Sequence, residues 1–498
     1  MYSSDYRDNY WHFFISGIIV LISSIYFIGI EYTTIVVVFF SIGAFFVRHI
    51  NTLILFYSSY LPLEEIIIKY FPYNLYILFK YFFEPLFFVI LICLIIKNIS
   101  TGSKWKKTPI DIPLLILLLS TIYSGLSTNV SLKLYILGVR PILRYVVVFL
   151  LITQSNFHNE KNINTIIRII YYSAIIQIII GIIQFFGGGS LKNFFDPRPT
   201  VIGSVVISNL GTTITEEGYL ISGTLGRSAP YAMFVAFFII TTISKSIKNG
   251  LNIVNKNDIV IFTMAIMTLI ASSSRKAWLG LSIACLIYIL IISDYRKKIT
   301  TISAIIWLLA LLFLCNSIIS DFLGNSDYSF TNRLKEIFSY QYIEHSIRYS
   351  RGFAIFTVCV EIAKNYLFTG LGPGRAGSSV TGSAAGTSAL IQEYNAISLY
   401  GPQAQFVSDV GFAAIFAQFG LIAFISILTI FGLVFYTSII RQKKFNNNGN
   451  YKLINKIIIG FSPLMFIGNI GGFSLTYRVI SWYWWIFCAL LFSSKNEK

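Results

Sequence analysis

Residues 131–152 read SLKLYILGVRPILRYVVVFLLI, and how this stretch is housed decides the fold. It is predominantly apolar yet carries Arg140 and Arg144 well inside the run. At the rise of a helix, about 20 apolar residues cross the roughly 30 Å hydrocarbon layer of a bilayer. Runs of similar length recur along the whole chain. Of its 498 residues 55% are hydrophobic and 12% charged, with a mean hydropathy of +0.72. Soluble globular domains carry about 25% charged residues, so a soluble enzyme is excluded. Disordered, collagen-like and disulfide-scaffold classes fail on the same composition. The chain reads as an all-α polytopic membrane protein.

The net charge of +17 would suggest nucleic acid in a soluble chain. Here it follows the positive-inside rule, in which Lys and Arg gather in cytoplasmic loops, and no nucleic-acid partner is expected. Basic loops fall at 97–107, around 161, and at 245–256, 296–298 and 441–456, with Lys495 and Lys498 at the tail. Placing all of them inside predicts helices near 109–126, 132–153, 165–186, 229–248, 257–273, 277–293, 299–320, 408–440, 454–471 and 476–494. Segments 12–30 and 33–47 add two more, and 50–72 reads as a broken or interfacial helix around Pro62, Glu64, Glu65, Lys69 and Pro72. The expectation is about 12–14 spans in one integral membrane domain, 1–498, with both termini cytoplasmic. The first residues, MYSSDYRDNYWHFF, carry acidic groups and no small-residue cleavage site, so they read as the start of a membrane helix and not as a secretory signal.

Two long segments fall outside under this ruler: a first external loop at 187–228 and a large one at 321–407. The second holds SFTNRLKEIFSY and RGFAIFTVCVEIAKNYL, both helical in pattern, and then GLGPGRAGSSVTGSAAG. Connections this long are usually functional or disordered, so the chemistry is expected at the outer face.

Arg140 and Arg144 are four apart, hence on one helical face, roughly 13 and 20 Å in from the outer end. An arginine at such depth costs at least about 2.5–3.5 kcal/mol unless it meets a cavity, an anion or a partner. Three readings stand: snorkelling, which suits Arg140 better than Arg144; pairing with a buried Glu; or binding an anion. A second set of arginines lies in the outer segments: Arg227 after SGTLG, Arg275 in SSSRKAWLG, Arg348 and Arg351 in HSIRYSRGF, and Arg375 in GPGRAG. Singly each reads as well as a solvated charge. Together they suit an anionic ligand such as a lipid diphosphate, because the planar guanidinium grips phosphate oxygens bidentately. The Gly-rich GLGPGRAG run offers amides that could cradle phosphate.

Proton acceptors are few. His345 is the only external-loop histidine; Asp409 opens the helix near 408, where Ser408 or Asp409 also suits an N-cap; Glu393 is a third option. The five cysteines, Cys93, Cys285, Cys315, Cys359 and Cys488, show no metal spacing and read as packing residues. Walker, GxSxG, HExxH and dinucleotide patterns are lacking, so no metal or other cofactor is expected. No cytoplasmic segment is large enough for a nucleotide sugar, which leaves a lipid-linked donor.

The order SGTLGRSAPYAMFVAF, SSSRKAWLGL, RGFAIFTVCVEIAKNYLFTGLGPG, VSDVGFAAIFAQFGLIAF resembles the O-antigen ligase and polymerase superfamily of Wzy type over about residues 130–440. The resemblance implies a GT-C-like glycosyltransferase of the bacterial inner membrane, independent of nucleotide and metal. Its substrates would be undecaprenyl-diphosphate-linked glycans as donor and acceptor among membrane lipids, with a polysaccharide chain-length regulator as expected partner. The family's functional arginines would fall on Arg275 and Arg351, with Arg227 beside them. Ligases of the superfamily carry a His just before the helix that starts here at Ser408; this chain reads PQAQFVSD there. That departure favours a polymerase with Asp409 as the carried-over acid. A ligase, and a flippase for the same lipid-linked sugars, are the alternatives.

Overall fold

The computed structural model describes residues 40–195, 200–202, 205–207, 221–249, 256–291, 339–341, 344–345, 351–376, 407, 409–444 and 449–493. Its helices are α1 (Phe40–Arg48), α2 (Ile50–Tyr60), α3 (Glu64–Ile68), α4 (Tyr73–Ser100), α5 (Asp111–Ser127), α6 (Leu132–Leu143), α7 (Val146–Gln154) and α8 (Glu160–Phe195). There follow α9 (Ser228–Asn249), α10 (Lys256–Ala271), α11 (Arg275–Ile291), α12 (Arg351–Phe353), α13 (Cys359–Tyr366), α14 (Gly411–Lys444), α15 (Gly449–Ile470) and α16 (Arg478–Ser493). Among the described residues five helices are long and apolar enough to cross a membrane, or up to seven when each of two bent pairs is one span. The protein is an all-α, multi-pass membrane protein. Expected helices 12–30 and 299–320 lie outside the described residues, as does 33–39 of the expected helix 33–47, whose remainder is α1.

Several expected boundaries shift for physical reasons. The helix expected at 132–153 is α6 and α7, bent by 52° at a break one turn after Pro141. Proline lacks the N–H for the ladder and crowds the carbonyl four residues back. The helix expected at 165–186 runs on as α8 to Phe195, so the loop expected at 187–228 begins helical. The same loop carries a short antiparallel hairpin, β1 (Thr200–Ile202) with β2 (Val205–Ile207). In 50–72 the chain is α2, a 3-10 turn at Leu61–Leu63 holding Pro62, and α3. From the large loop, RGFAIFTVCVEIAKNYL is helical as expected, with a π-helical turn Ala354–Val358 joining α12 to α13.

At the centre stands α16. Its residues Val479–Leu491 are all buried, which marks a helix surrounded by protein on every side. Trp482 donates its indole N–H to Ser58 Oγ at 2.8 Å, and Tyr483 donates its hydroxyl to the Ser58 carbonyl at 2.7 Å. The rings of Tyr57 and Trp482 meet edge to face at 4.6 Å. These contacts hold α2 against α16 and so bring Glu64, just beyond Pro62, to the N-terminal end of α16, where Arg478 begins.

The Gly-rich run has a structural task. The helix expected at 408–440 starts at Gly411 and is broken at Gly420, whose φ of 79° and ψ of −174° belong to glycine. The break exposes carbonyls that the run satisfies: Leu371 N donates to Ala417 O at 2.8 Å and Gly372 N to Gln418 O at 3.1 Å. Gly374 N donates to Gln418 Oε1 at 2.9 Å. Amides offered as a phosphate cradle are therefore spent on the kink of α14.

A Cβ at Gly420 would run into the Phe368 carbonyl, whereas one at Gly432 on the same helix meets nothing. Gly420→Ala is expected to lose at least about 1–3 kcal/mol, while Gly432→Ala is neutral or slightly stabilising. Thermal unfolding in detergent, read side by side for the two variants, checks this.

Candidate functional site

A cavity of about 390 Å³ opens where the chain breaks at Pro62, at Arg144 and before Arg478. Five cations line it: Lys80, Arg140, Arg144, Arg227 and Arg478. Most of the wall residues arrive from helix ends or turns, while Lys80 and Tyr81 come from within α4.

Three carboxylates answer the cations. Glu84, on α4, takes Arg140 Nε at 2.6 Å and Arg144 Nη1 at 3.5 Å, and its side chain is only 6% exposed. Glu64 grips Arg478 in a fork, one arm at 2.9 Å, and Arg478 Nη2 also donates to the Lys80 carbonyl at 3.0 Å. Glu65 holds Lys80 at 2.8 Å, with Tyr76 bonded to both. Five positive groups thus face three negative ones. A buried ion pair needs close geometry and extra hydrogen bonds to offset desolvation, and these pairs have both. The surplus positive charge is what an anion would meet.

Unused donors concentrate on two residues. Arg140 commits only its Nε, lies over the Tyr81 ring at 4.5 Å and is 31% exposed, so its two terminal amino groups are without partners among the described residues. Arg227 is exposed at the cavity, and its side chain has no hydrogen-bond or ion-pair partner among the described residues. Arg144, by contrast, is tied down by Glu84 and by the Thr476 carbonyl at 2.6 Å.

The segment before Arg227 is built to hold it there. Gln177 and Gln184 sit seven apart on α8, one face of the helix. Gln184 Oε1 accepts from Ser222 N at 3.1 Å and Gly223 N at 2.8 Å, and its Nε2 donates to Gly223 O at 2.9 Å. Gln177 takes Thr224 N at 2.9 Å, and both Gln177 and Thr224 donate to the Pro62 carbonyl, at 2.8 and 2.6 Å. The SGTLG turn is thereby fastened to the same helix break that delivers Glu64.

The structure sorts the expected site residues into groups. Arg140, Arg144 and Arg227 converge on the cavity. For Arg140 and Arg144 the pairing reading holds, since Glu84 was the buried partner. Arg351 and Asp409 do not line the cavity; both are exposed beside a separate small core of Val358, Ile362, Leu371, Val407, Val410 and Ala417. Arg375 joins that core and donates to the carbonyls of Thr128 at 2.8 Å and Asn129 at 3.5 Å, closing the end of α5. Arg275 opens α11 off the cavity, and its neighbour Lys276 bonds Tyr477 on the cavity wall. His345 is exposed, while Arg348, Glu393 and Ser408 lie outside the described residues.

Sequence reasoning missed Lys80, Glu84 and Arg478. The signal was present: Glu84 and Arg478 interrupt apolar runs as Arg140 and Arg144 do. Among the described residues no group of three or more His, Cys, Asp or Glu side chains is placed to hold a metal ion.

Residues 259–428 match the family model described as O-antigen ligase. No curated protein matches the chain. The matched stretch contains Arg275, Lys276, Arg351, Arg375, Asp409 and the Gly420 kink, and the cavity arginines lie on either side of it in sequence. It fits an enzyme that joins glycans and lends no support to a flippase. Over residues 259–428 the chain is similar to the O-antigen ligase family, which is consistent with a Wzy-type polymerase or ligase and with an enzyme of glycosyltransferase or ligase type.

Proposed function

We propose that the protein is a polymerase of lipid-linked oligosaccharide repeat units, acting at the outer face of the bacterial inner membrane. The single observation that carries the reading is the surplus-cation cavity, into which Arg140 offers its two terminal amino groups and Arg227 its guanidinium. An undecaprenyl diphosphate is the anion of matching chemistry, its phosphates meeting the arginines and its prenyl chain remaining in the bilayer. A hydroxyl of the incoming repeat unit attacks the anomeric carbon of the growing chain. The bond from that carbon to the diphosphate oxygen breaks, and undecaprenyl diphosphate leaves with the electron pair. The arginines stabilise the charge developing on the leaving group. Holding donor and acceptor together supplies the proximity contribution.

The hydroxyl proton goes to a carboxylate. Glu64, Glu65 and Glu84 are each committed to cations, whereas Asp409 is exposed with no partner among the described residues. Asp409 is the proposed acceptor, Glu393 the second choice, and Arg275, Arg351 and Arg375 belong to the acceptor side of the same outer face. The acidic residue at 409, where superfamily ligases carry His, favours polymerase. The second reading is a ligase that hands finished glycan to another acceptor, and the description of the matching family favours it.

Purified protein given one synthetic undecaprenyl-diphosphate repeat unit, without nucleotide, metal or other acceptor, is expected to yield a ladder of multiples by mass. Conversion only when lipid A core is added would select the ligase. Within the active preparation Arg227→Ala is expected to lower turnover by about 10²-fold, with its unfolding temperature unchanged because the Arg227 side chain bonds nothing among the described residues. Glu84→Ala should instead fail to accumulate, since removing one partner from a buried pair costs about 3–5 kcal/mol; membrane yield measures that.

A further inference from the structure

Tyr477 stands on the cavity wall between Thr476, which holds Arg144, and Arg478, which holds Glu64. Its hydroxyl oxygen accepts a short hydrogen bond from Lys276 Nζ, and the same ammonium lies 4.5 Å from the centre of its ring. Lysine can only donate. The phenol oxygen is therefore the acceptor in that bond, and its own hydrogen is left to point elsewhere. Neither Tyr477 nor Lys276 has another side-chain partner among the described residues, and Lys276 meets no carboxylate. Of the five cations that line the cavity, all but Arg227 are tied to a Glu.

The route of Lys276 is deliberate in packing. It leaves the first turn of α11 and passes over Gly471 and Gly472, where a Cβ at Gly472 would coincide with the ammonium. Gly472 in turn accepts from Gly411 N at 2.6 Å, which ties this corner to the start of α14. The matched family stretch thus reaches the cavity through Lys276.

We infer that Tyr477 is a hydrogen-bond donor to the anionic group held in the cavity, and that Lys276 is its positioning residue. The inference rests on the diphosphate reading above. Lys276 donates to the phenol oxygen, the phenol O–H donates to a phosphate oxygen, and donors in such a chain polarise one another. A positive charge is thereby felt at the phosphate without its desolvation inside the cavity. No bond to carbon is involved and the phenol proton stays on Tyr477; the pair strengthens as charge grows on the departing diphosphate.

The test uses the full-length protein in detergent and farnesyl diphosphate as probe, with affinity by calorimetry and unfolding temperature as the folding control. Tyr477→Phe keeps the ring over the ammonium and removes only the donor. It is expected to weaken binding about tenfold, the worth of a hydrogen bond to a charged group, at an unchanged unfolding temperature. Lys276→Met should weaken binding similarly, Lys276→Arg should restore part of it, and the double variant should be no worse than Tyr477→Phe alone. If the wild type binds and Tyr477→Phe binds equally, the inference is overturned. Full additivity of the two losses would overturn the role given to Lys276. Failure of the wild type itself to bind would overturn the diphosphate reading and this inference with it.

Discussion

Arg478 forks onto Glu64 across 414 residues of chain, inside a bundle whose centre is almost wholly apolar. A charge in that medium is tolerated only when a counter-charge and further hydrogen bonds surround it. Meeting the requirement fixes much else. Glu64, which pairs with Arg478, follows the 3-10 turn that holds Pro62, and the Pro62 carbonyl accepts from Gln177 and Thr224. The turn so fastened ends at Arg227. One turn along α4 from Lys80, Glu84 performs the same service for Arg140 and Arg144. Removing any one carboxylate strands a cation, so the walls of the cavity stand or fall together.

A second constraint acts on the matched domain. Gly420 interrupts α14, and the orphaned carbonyls of Ala417 and Gln418 must find donors. Leu371 and Gly372 supply them, while Ser124 on α5 donates to Gln418 O at 2.8 Å. The kink therefore orders the end of the large loop and the Arg375 contact with α5. Two corners result, one holding the cavity and one holding Arg351, Asp409 and Arg375, joined through Gly411, Gly472, Lys276 and Tyr477. In the proposed reaction the first corner takes the donor diphosphate and the second the acceptor.

Much of this was legible from hydropathy and charge. Helix placements from 109–126 to 476–494 agree with the described helices wherever those exist, because apolar length and basic loops are strong, local signals. Depth alone identified Arg140 and Arg144 as needing a partner. The partner itself was hidden: Glu84 lies 56 and 60 residues away, and no periodicity relates them. Breaks were the weakest reading. Pro141 and Gly420 both sit inside continuous apolar runs, where composition says helix and only tertiary packing decides where it bends. The same applies to GLGPG, whose glycines suit an anion cradle and a docking turn equally until the kinked helix is seen beside them.

In the proposed reaction the cavity between α4, α6 and the start of α16 receives the lipid diphosphate. An electron cryo-microscopy map of the full-length protein with undecaprenyl diphosphate added tests it most directly. Density for two phosphates is expected between Arg140 and Arg227, with Tyr477 within hydrogen-bonding distance and the prenyl chain leaving toward the bilayer. Phosphate density placed instead beside Arg275, Arg351 or Arg375, with the cavity filled by solvent alone, would contradict it.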